Sequence, residues 1–238
     1  MNLEAGIQNS EFAKNGFQIF HSVFSWKQCD SLSLELSKQF LNQQKSTKSK
    51  IGGVRNLLKN SSVEAIATSS QLISVLEKIT GEKLFPVRAI FFDKTVESNW
   101  MVPWHQDLAI AVAEKIETPD FAGWSIKDEV LHVHPPQQIL EKMVTVRLHL
   151  DNCDVQNGAL KVISGSHQNG KLNANQIADL TRTKDVVICE VPKGGMVLMR
   201  PLLLHSSSPS ENPSHRRVLH IEYAADELPN GLKWFERR

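Results

Sequence analysis

Cysteine is scarce in this chain, and its three cysteines are far apart. Cys29, Cys153 and Cys189 form no CxxC pair and no even set, which excludes a disulfide framework and leaves free thiols in a reducing compartment as the expectation. No apolar run approaches the ~20 residues that cross a bilayer. The N-terminus lacks the basic patch and apolar stretch of a secretory signal. A basic excess is also missing: the formal net charge is +1, and the densest lysine cluster, Lys45, Lys48 and Lys50, sits in a polar stretch that reads as a solvated loop. Nothing has the Gly-rich turn after a strand that marks a nucleotide-binding unit, and no internal repeat is visible. These absences predict a cytoplasmic protein with no nucleic-acid or membrane partner, either monomer or homodimer. The 238 residues suit a single domain.

The first 83 residues read as mostly helical support. A turn is expected at 11–14 and a short strand around Phe17 and Ile19. One helix is expected over 28–40, another from a Ser62 cap, and a third from Ser70 to a stop at Gly81. Residues 45–53 read as a loop. From 84 the texture changes to strand-like runs at 87–92, 105–112, 143–151, 159–163, 186–189, 195–199 and 216–223. Asn157-Gly158, Gly165-Ser166, Pro192-Lys193-Gly194 and the 209–213 stretch supply turn signals between them. Helices followed by antiparallel strands predict a mainly β fold, a barrel or sandwich spanning 84–224. Residues 114–142 fit neither texture and are expected to be either a lid or substrate loop, or a packed surface excursion.

The chemistry starts at Trp104-His105-Gln106-Asp107. On a strand, side chains two apart share a face, so His105 and Asp107 can point inward while Trp104 and Gln106 point away. An imidazole, a carboxylate and one distant histidine make the facial triad that holds Fe(II) and leaves three positions open. His205, after the run 199–204, is the expected third ligand. His149 and Asp151 have the same spacing as His105 and Asp107, but too little strand lies between Asp151 and His205 to build a barrel. Of the other histidines, His132 and His134 should face solvent or substrate, His220 should share the inward face or be a satisfied core residue, His167 should cap a turn or reach the cavity mouth, and His215 should be exposed.

Eleven residues past His205 come Arg216 and Arg217, one of which must face inward. A buried guanidinium needs an anion, and a dicarboxylate such as 2-oxoglutarate fits its fork; the alternative for Arg216 is a buried salt bridge. Arg217 reads as a surface charge. Ser207 is placed to donate to the same acid. Phe92, Trp100 and Trp104 are apolar candidates for the surrounding shell, and Arg88, Lys94 and Arg147 are expected at the barrel rim.

Together these pieces resemble the phytanoyl-CoA dioxygenase (PhyH) family of iron(II)/2-oxoglutarate oxygenases. The resemblance rests on Pro103-Trp104-His105-Gln106-Asp107, on Asn157-Gly158-Ala159-Leu160 running to Gly165-Ser166-His167, and on His205 followed by Ser207 and Arg216-Arg217. It implies a double-stranded β-helix, a jelly roll of cupin type. It implies iron on His105, Asp107 and His205, and the 5-carboxylate of 2-oxoglutarate on Arg216 with help from Ser207. It further implies a small-molecule substrate, O2 as oxidant, and hydroxylation with release of succinate and CO2. Two other readings use the same barrel: a cupin-like dioxygenase without 2-oxoglutarate, and a non-catalytic binding protein.

Overall fold

A computed structural model describes residues 9–46, 53–211 and 215–238. The loop expected at 45–53 and the turn at 209–213 therefore lie partly outside the described residues. The described residues open with a helix α1 (Asn9–Asn15), where only a turn is expected, and then form strand β1 (Phe17–Phe20). Three helices follow: α2 (Trp26–Ser46), α3 (Ser61–Ala67) and α4 (Ser70–Thr80). Gly81 ends α4 in the left-handed conformation at φ 76°, as its position predicts. The cap of α3 differs from expectation. The side-chain oxygen of Asn60 accepts from the N–H groups of both Ser62 and Val63, while the Ser62 hydroxyl donates to Glu35. One amide oxygen outside the helix satisfies two orphan donors, which a hydroxyl already inside the first turn cannot do.

Five antiparallel strands form the larger sheet. Their order is β1, β10 (Met196–Met199), β7 (Val144–His149), β12 (Arg216–Ala224) and β2 (Phe85–Lys94). Alternation gives this sheet two unlike faces. Ala89, Phe91, Val144, Val146, Leu148, Leu219, Ile221 and Tyr223 point to one side, where they form a single core with Leu36, Phe40, Val63, Leu72, Leu76 and Ile79 of the helices. Each such aliphatic or aromatic side chain contributes about 1.5–3 kcal/mol by leaving water. The Tyr223 hydroxyl reaches the carbonyl of Ala67 at 2.9 Å and ties sheet to helices. Arg88, Ile90, Phe92, Arg147, Arg216, His220 and Glu222 point the other way, into a cavity.

A second sheet closes that cavity. It runs β3 (Val102–His105), β11 (His205–Ser207), β8 (Leu160–Val162), β9 (Val187–Cys189), again antiparallel. Two opposed antiparallel sheets make the jelly roll that the strand count predicts. The run 105–112 is not one strand, however. After His105 the chain leaves the ladder: Asp107 N–H donates to Pro201 O, and the Gln106 amide bonds Gly170 O, Leu202 O and Leu172 N. Pairing resumes in β4 (Ile110–Val112), which joins β6 (Val130–His134) and β5 (Ala122–Lys127) in a third sheet. The segment 114–142 thus consists largely of a hairpin and a short helix α5 (Gln137–Glu141), and β6 lends two side chains to the cavity wall.

Candidate metal centre and co-substrate cavity

His105 and His205 are register partners on β3 and β11. Their rings lie 4.2 Å apart between centroids. Asp107, just past the end of β3, completes the group: the ligand atoms of all three lie within 4.8 Å of one another. His105 Nε2 is 3.8 Å from Asp107 Oδ1, and His205 Nε2 is 3.7 Å from Asp107 Oδ2. Backbone carbonyls fix both tautomers. Nδ1 of His105 donates to Pro103 O at 2.9 Å, and Nδ1 of His205 to Leu203 O at 2.8 Å. Each ring therefore turns a bare Nε2 lone pair inward.

Burial pushes His205 down to about 4, against the pull of the Asp107 carboxylate, so this ring is neutral near pH 7. Burial opposes ionisation of Asp107, but the neighbouring His205, His220, His105 and Arg147 together outweigh it and hold the carboxyl below its ordinary value. Asp107 Oδ2 is buried without a hydrogen-bond partner. Lone pairs thus face lone pairs across a gap with no hydrogen between them. Two imidazole nitrogens and a carboxylate in this disposition suit a divalent cation, and the set fits Fe(II) with open positions.

The cavity holds about 450 Å³ and has a polar end beyond the triad. Arg216 faces in and Arg217 faces out, as alternation requires. Arg217 grips Asp151 through Nε and Nη2 at 2.8 and 2.6 Å. That pairing also removes the competing histidine–aspartate couple: Asp151 lies beyond the end of β7 and is committed to Arg217, while His149 is buried on the inner face. Arg216 is 3% exposed and its Nη1 donates to the carbonyl of Gly158. No protein carboxylate pairs with it among the described residues, so the buried salt bridge considered for Arg216 is not what the fold provides. Gly158 has φ +68°, and a Cβ there would meet Ser208 O at 2.5 Å. Gly158→Ala is therefore expected to cost about 1–3 kcal/mol, seen as a lower denaturation midpoint. It should also loosen Arg216 by moving the carbonyl that orients it.

Ser207 lines the cavity, and its hydroxyl oxygen accepts from Lys94 Nζ at 2.7 Å. Phe92 and Trp100 line it too. Trp104 instead packs outward against Ile163, Leu172 and Leu204. Two residues expected at the rim lie inside: Lys94 is 0% exposed and Arg147 is 8% exposed. Arg147 lines the cavity, whereas Lys94 lies behind its wall, its Nζ donating to Ser207 Oγ at 2.7 Å and to Ser208 O at 2.8 Å. Arg88 lines the cavity and pairs with Glu222 at 3.1 Å.

The remaining histidines separate cleanly. His220 faces the cavity and meets Arg147 at 3.1 Å. His132 and His134 face it from β6. His132 Nδ1 donates to Val130 O, and its Nε2 is buried without a partner. Burial, then Arg88, lowers the pKa of this ring. His167 bonds Ala13 O near the end of α1 and His215 bonds Asp93; neither lines the cavity.

The sequence profile described as Phytanoyl-CoA dioxygenase (PhyH) matches residues 12–218. No curated protein matches by sequence. Among solved structures, AviO1 from Streptomyces viridochromogenes Tue57 is similar at 20% identity and TM-score 0.68, over 96% of this chain and 100% of that one. The apoform of EctD from S. alaskensis is similar at 17% identity and TM-score 0.72, over 99% and 82%. The non-heme alpha ketoglutarate dependent carbocyclase SnoK from nogalamycin biosynthesis is similar at 12% identity and TM-score 0.70, over 95% and 85%. At these identities the likeness is one of fold.

Proposed function

Because the chain belongs to the phytanoyl-CoA dioxygenase (PhyH) family of iron(II)- and 2-oxoglutarate-dependent oxygenases, we propose that it hydroxylates an aliphatic C–H bond of a small molecule, with His105, Asp107 and His205 holding the iron and Arg216 the far carboxylate of 2-oxoglutarate. The observation that carries the ligand assignment is the inward-facing set of bare lone pairs on these three side chains, tautomers fixed, around a gap that a cation fills. Membership in this family brings catalysis and 2-oxoglutarate dependence, and so sets aside the binding protein and the cupin-like dioxygenase.

With iron and the keto acid bound, the centre supplies oxidative decarboxylation by O2, releasing succinate and CO2, and the oxidising power for the C–H bond. The chain's own residues do the rest. Pro103 O and Leu203 O hold the two rings in the ligating tautomer. Arg216 fixes one end of the dicarboxylate, which fixes the orientation of the other. Ser207, whose oxygen already accepts from Lys94, keeps its own proton to donate to the acid. Phe92, Trp100, Val102, Leu108 and Leu160 keep water from the reacting region. His132, Arg88 and Glu222 offer polar contacts to substrate from the wall beyond the triad.

Lys94 gives this cavity a pH dependence. Burial first, then the charges of Arg216 and Arg147, bring its ammonium down to about 7. An arriving dicarboxylate favours the charged form and raises that value. Binding of 2-oxoglutarate should therefore take up a proton above neutrality and weaken as pH rises through about 7. Calorimetry at about pH 8 in buffers of different ionisation enthalpy reads the uptake, and Lys94→Met should remove it.

The reaction type is tested by incubating the enzyme with a metabolite extract, 2-oxoglutarate and isotopically heavy O2. The expected result is succinate formation coupled to a product that has gained one heavy oxygen atom. A product that is desaturated, cyclised or epimerised without added oxygen would remove the hydroxylase assignment and leave the family assignment standing.

A further inference from the structure

Arg147 is a buried charge with no ion pair among the described residues; the Asp107 carboxylate favours it only from beyond ion-pair distance. It sits on β7, register partner of His220 on β12, and leans over the Phe92 ring at 5.9 Å. Among the described residues its one hydrogen-bonding contact is Nη1 to His220 Nδ1, at 3.1 Å; its Nε is buried with no partner there. Among the described residues no carboxylate forms an ion pair with it. Arg216, on the adjacent strand, has the same defect at its own Nε. His149 lies two residues along β7 from Arg147 and has both ring nitrogens buried and partnerless. Four orphaned polar atoms from three side chains thus gather on neighbouring strands of one inner face. The three are close enough to feel each other: burial first and then Arg216 lower Arg147, and burial first and then both arginines hold His149 well below its ordinary value.

Leaving two guanidinium groups buried without a counter-charge in contact is costly. Water can answer the hydrogen bonds but not the charge. One carboxylate answers both, since its two oxygens offer about four lone-pair sites, enough for N–H groups of Arg216 and Arg147, both of which line the cavity. Charge-assisted contacts of this kind are roughly twice as strong as neutral ones.

We infer that Arg147 is a second anchor for the far carboxylate of 2-oxoglutarate, shared with Arg216, and that it makes the cavity select a dicarboxylic keto acid over a monocarboxylic one. This rests on the co-substrate reading above and adds a specificity-determining residue outside the motif that carries it.

The test compares two keto acids on the iron-loaded enzyme without oxygen. 2-Oxoglutarate carries the far carboxylate, whereas 2-oxovalerate keeps the keto-acid end and replaces that carboxylate by a methyl group. Calorimetric titration gives the Kd of each. Arg147→Gln is expected to raise the Kd for 2-oxoglutarate by about tenfold to a hundredfold, and to leave that for 2-oxovalerate unchanged. Arg147→Lys, which restores charge but not the fork, should fall between wild type and Arg147→Gln. Iron stoichiometry and melting temperature, measured on each variant, identify one that has misfolded; the lysine variant then carries the comparison. Unchanged affinity for both acids would overturn the inference and leave Arg147 to the substrate or the fold. An equal loss for both would also overturn it, by placing Arg147 at the keto-acid end. Failure of the co-substrate reading looks different: wild type itself would not prefer 2-oxoglutarate, and Arg216→Met would change nothing.

Discussion

Asp107→Ala is expected to abolish stoichiometric iron binding and, with it, succinate formation. Asp107 is the one anionic member of the group, and its loss leaves two neutral imidazoles. Disturbing a group that merely supports a ligand costs metal affinity about tenfold to a hundredfold, so removing the charged ligand itself should exceed a loss of about a hundredfold. The same change should leave the metal-free protein folded, at a modest cost in stability, because the fold favours the ionised carboxylate. Oδ2 of Asp107 is a buried acceptor with no partner, and the backbone bond from its N–H to Pro201 O does not involve the side chain. Equilibrium dialysis with iron, paired with thermal melts of the metal-free forms, separates loss of the site from loss of the fold. A variant that melts normally and still binds one iron per chain would contradict the assignment.

Arg216→Met should act on the other end of the cavity and spare the metal. Its predicted signature is an unchanged iron stoichiometry and an increase of about a hundredfold in the Kd for 2-oxoglutarate. A charged fork that meets a carboxylate in a site shielded from water loses both its hydrogen bonds and its Coulomb attraction when replaced by a thioether. Methionine fills similar volume, and swapping an unpaired buried charge for an apolar side chain is often neutral or stabilising. The metal-free variant should therefore fold. Saturating 2-oxoglutarate should recover part of the lost turnover, which separates a binding defect from a chemical one. If affinity were unaltered, the co-substrate would have to enter by another route, and Arg147 would be the first residue to examine.

Much of the metal centre is legible in the sequence because its signal is local. Two residues of alternate spacing near a strand end, and a third histidine placed far enough along to allow a barrel between, specify the triad without any coordinates. Arg216 is legible for the same reason, since alternation forces one of two adjacent arginines inward. The surroundings are harder to read. In β7 the pattern Val144, Thr145, Val146, Arg147, Leu148, His149 alternates apolar and polar, and such alternation says only that one face is dry. Val146 and Leu148 meet the helices, but nothing local tells whether Arg147 and His149 face bulk water or an enclosed cavity. Arg147 and Lys94 are misplaced at the rim for this reason.

The hairpin in 114–142 is hidden by its turn chemistry. Asp128 and Glu129 both adopt positive φ, 48° and 65°, where a tight hairpin usually shows Asn-Gly or Asp-Gly. Strand β5 is mostly exposed along its length, with no alternation to betray it. The helix α6 (Ala174–Thr183) buries none of its residues, so periodicity is silent there as well. Its capping box, Asn173 with Gln176, is a signal that could have revealed it.

The central claim is that one iron sits between His105, Asp107 and His205 with adjacent positions free for a keto acid. Anaerobic titration of the purified chain with Fe(II) and then 2-oxoglutarate tests it, because a keto acid chelated to iron gives a visible charge-transfer absorption that neither gives alone. The account predicts a band that saturates at one iron per chain, is absent in His105→Ala and Asp107→Ala, and in Arg216→Met appears only at much higher 2-oxoglutarate. A band that survives in His105→Ala with the same intensity and stoichiometry would show that the iron is held elsewhere.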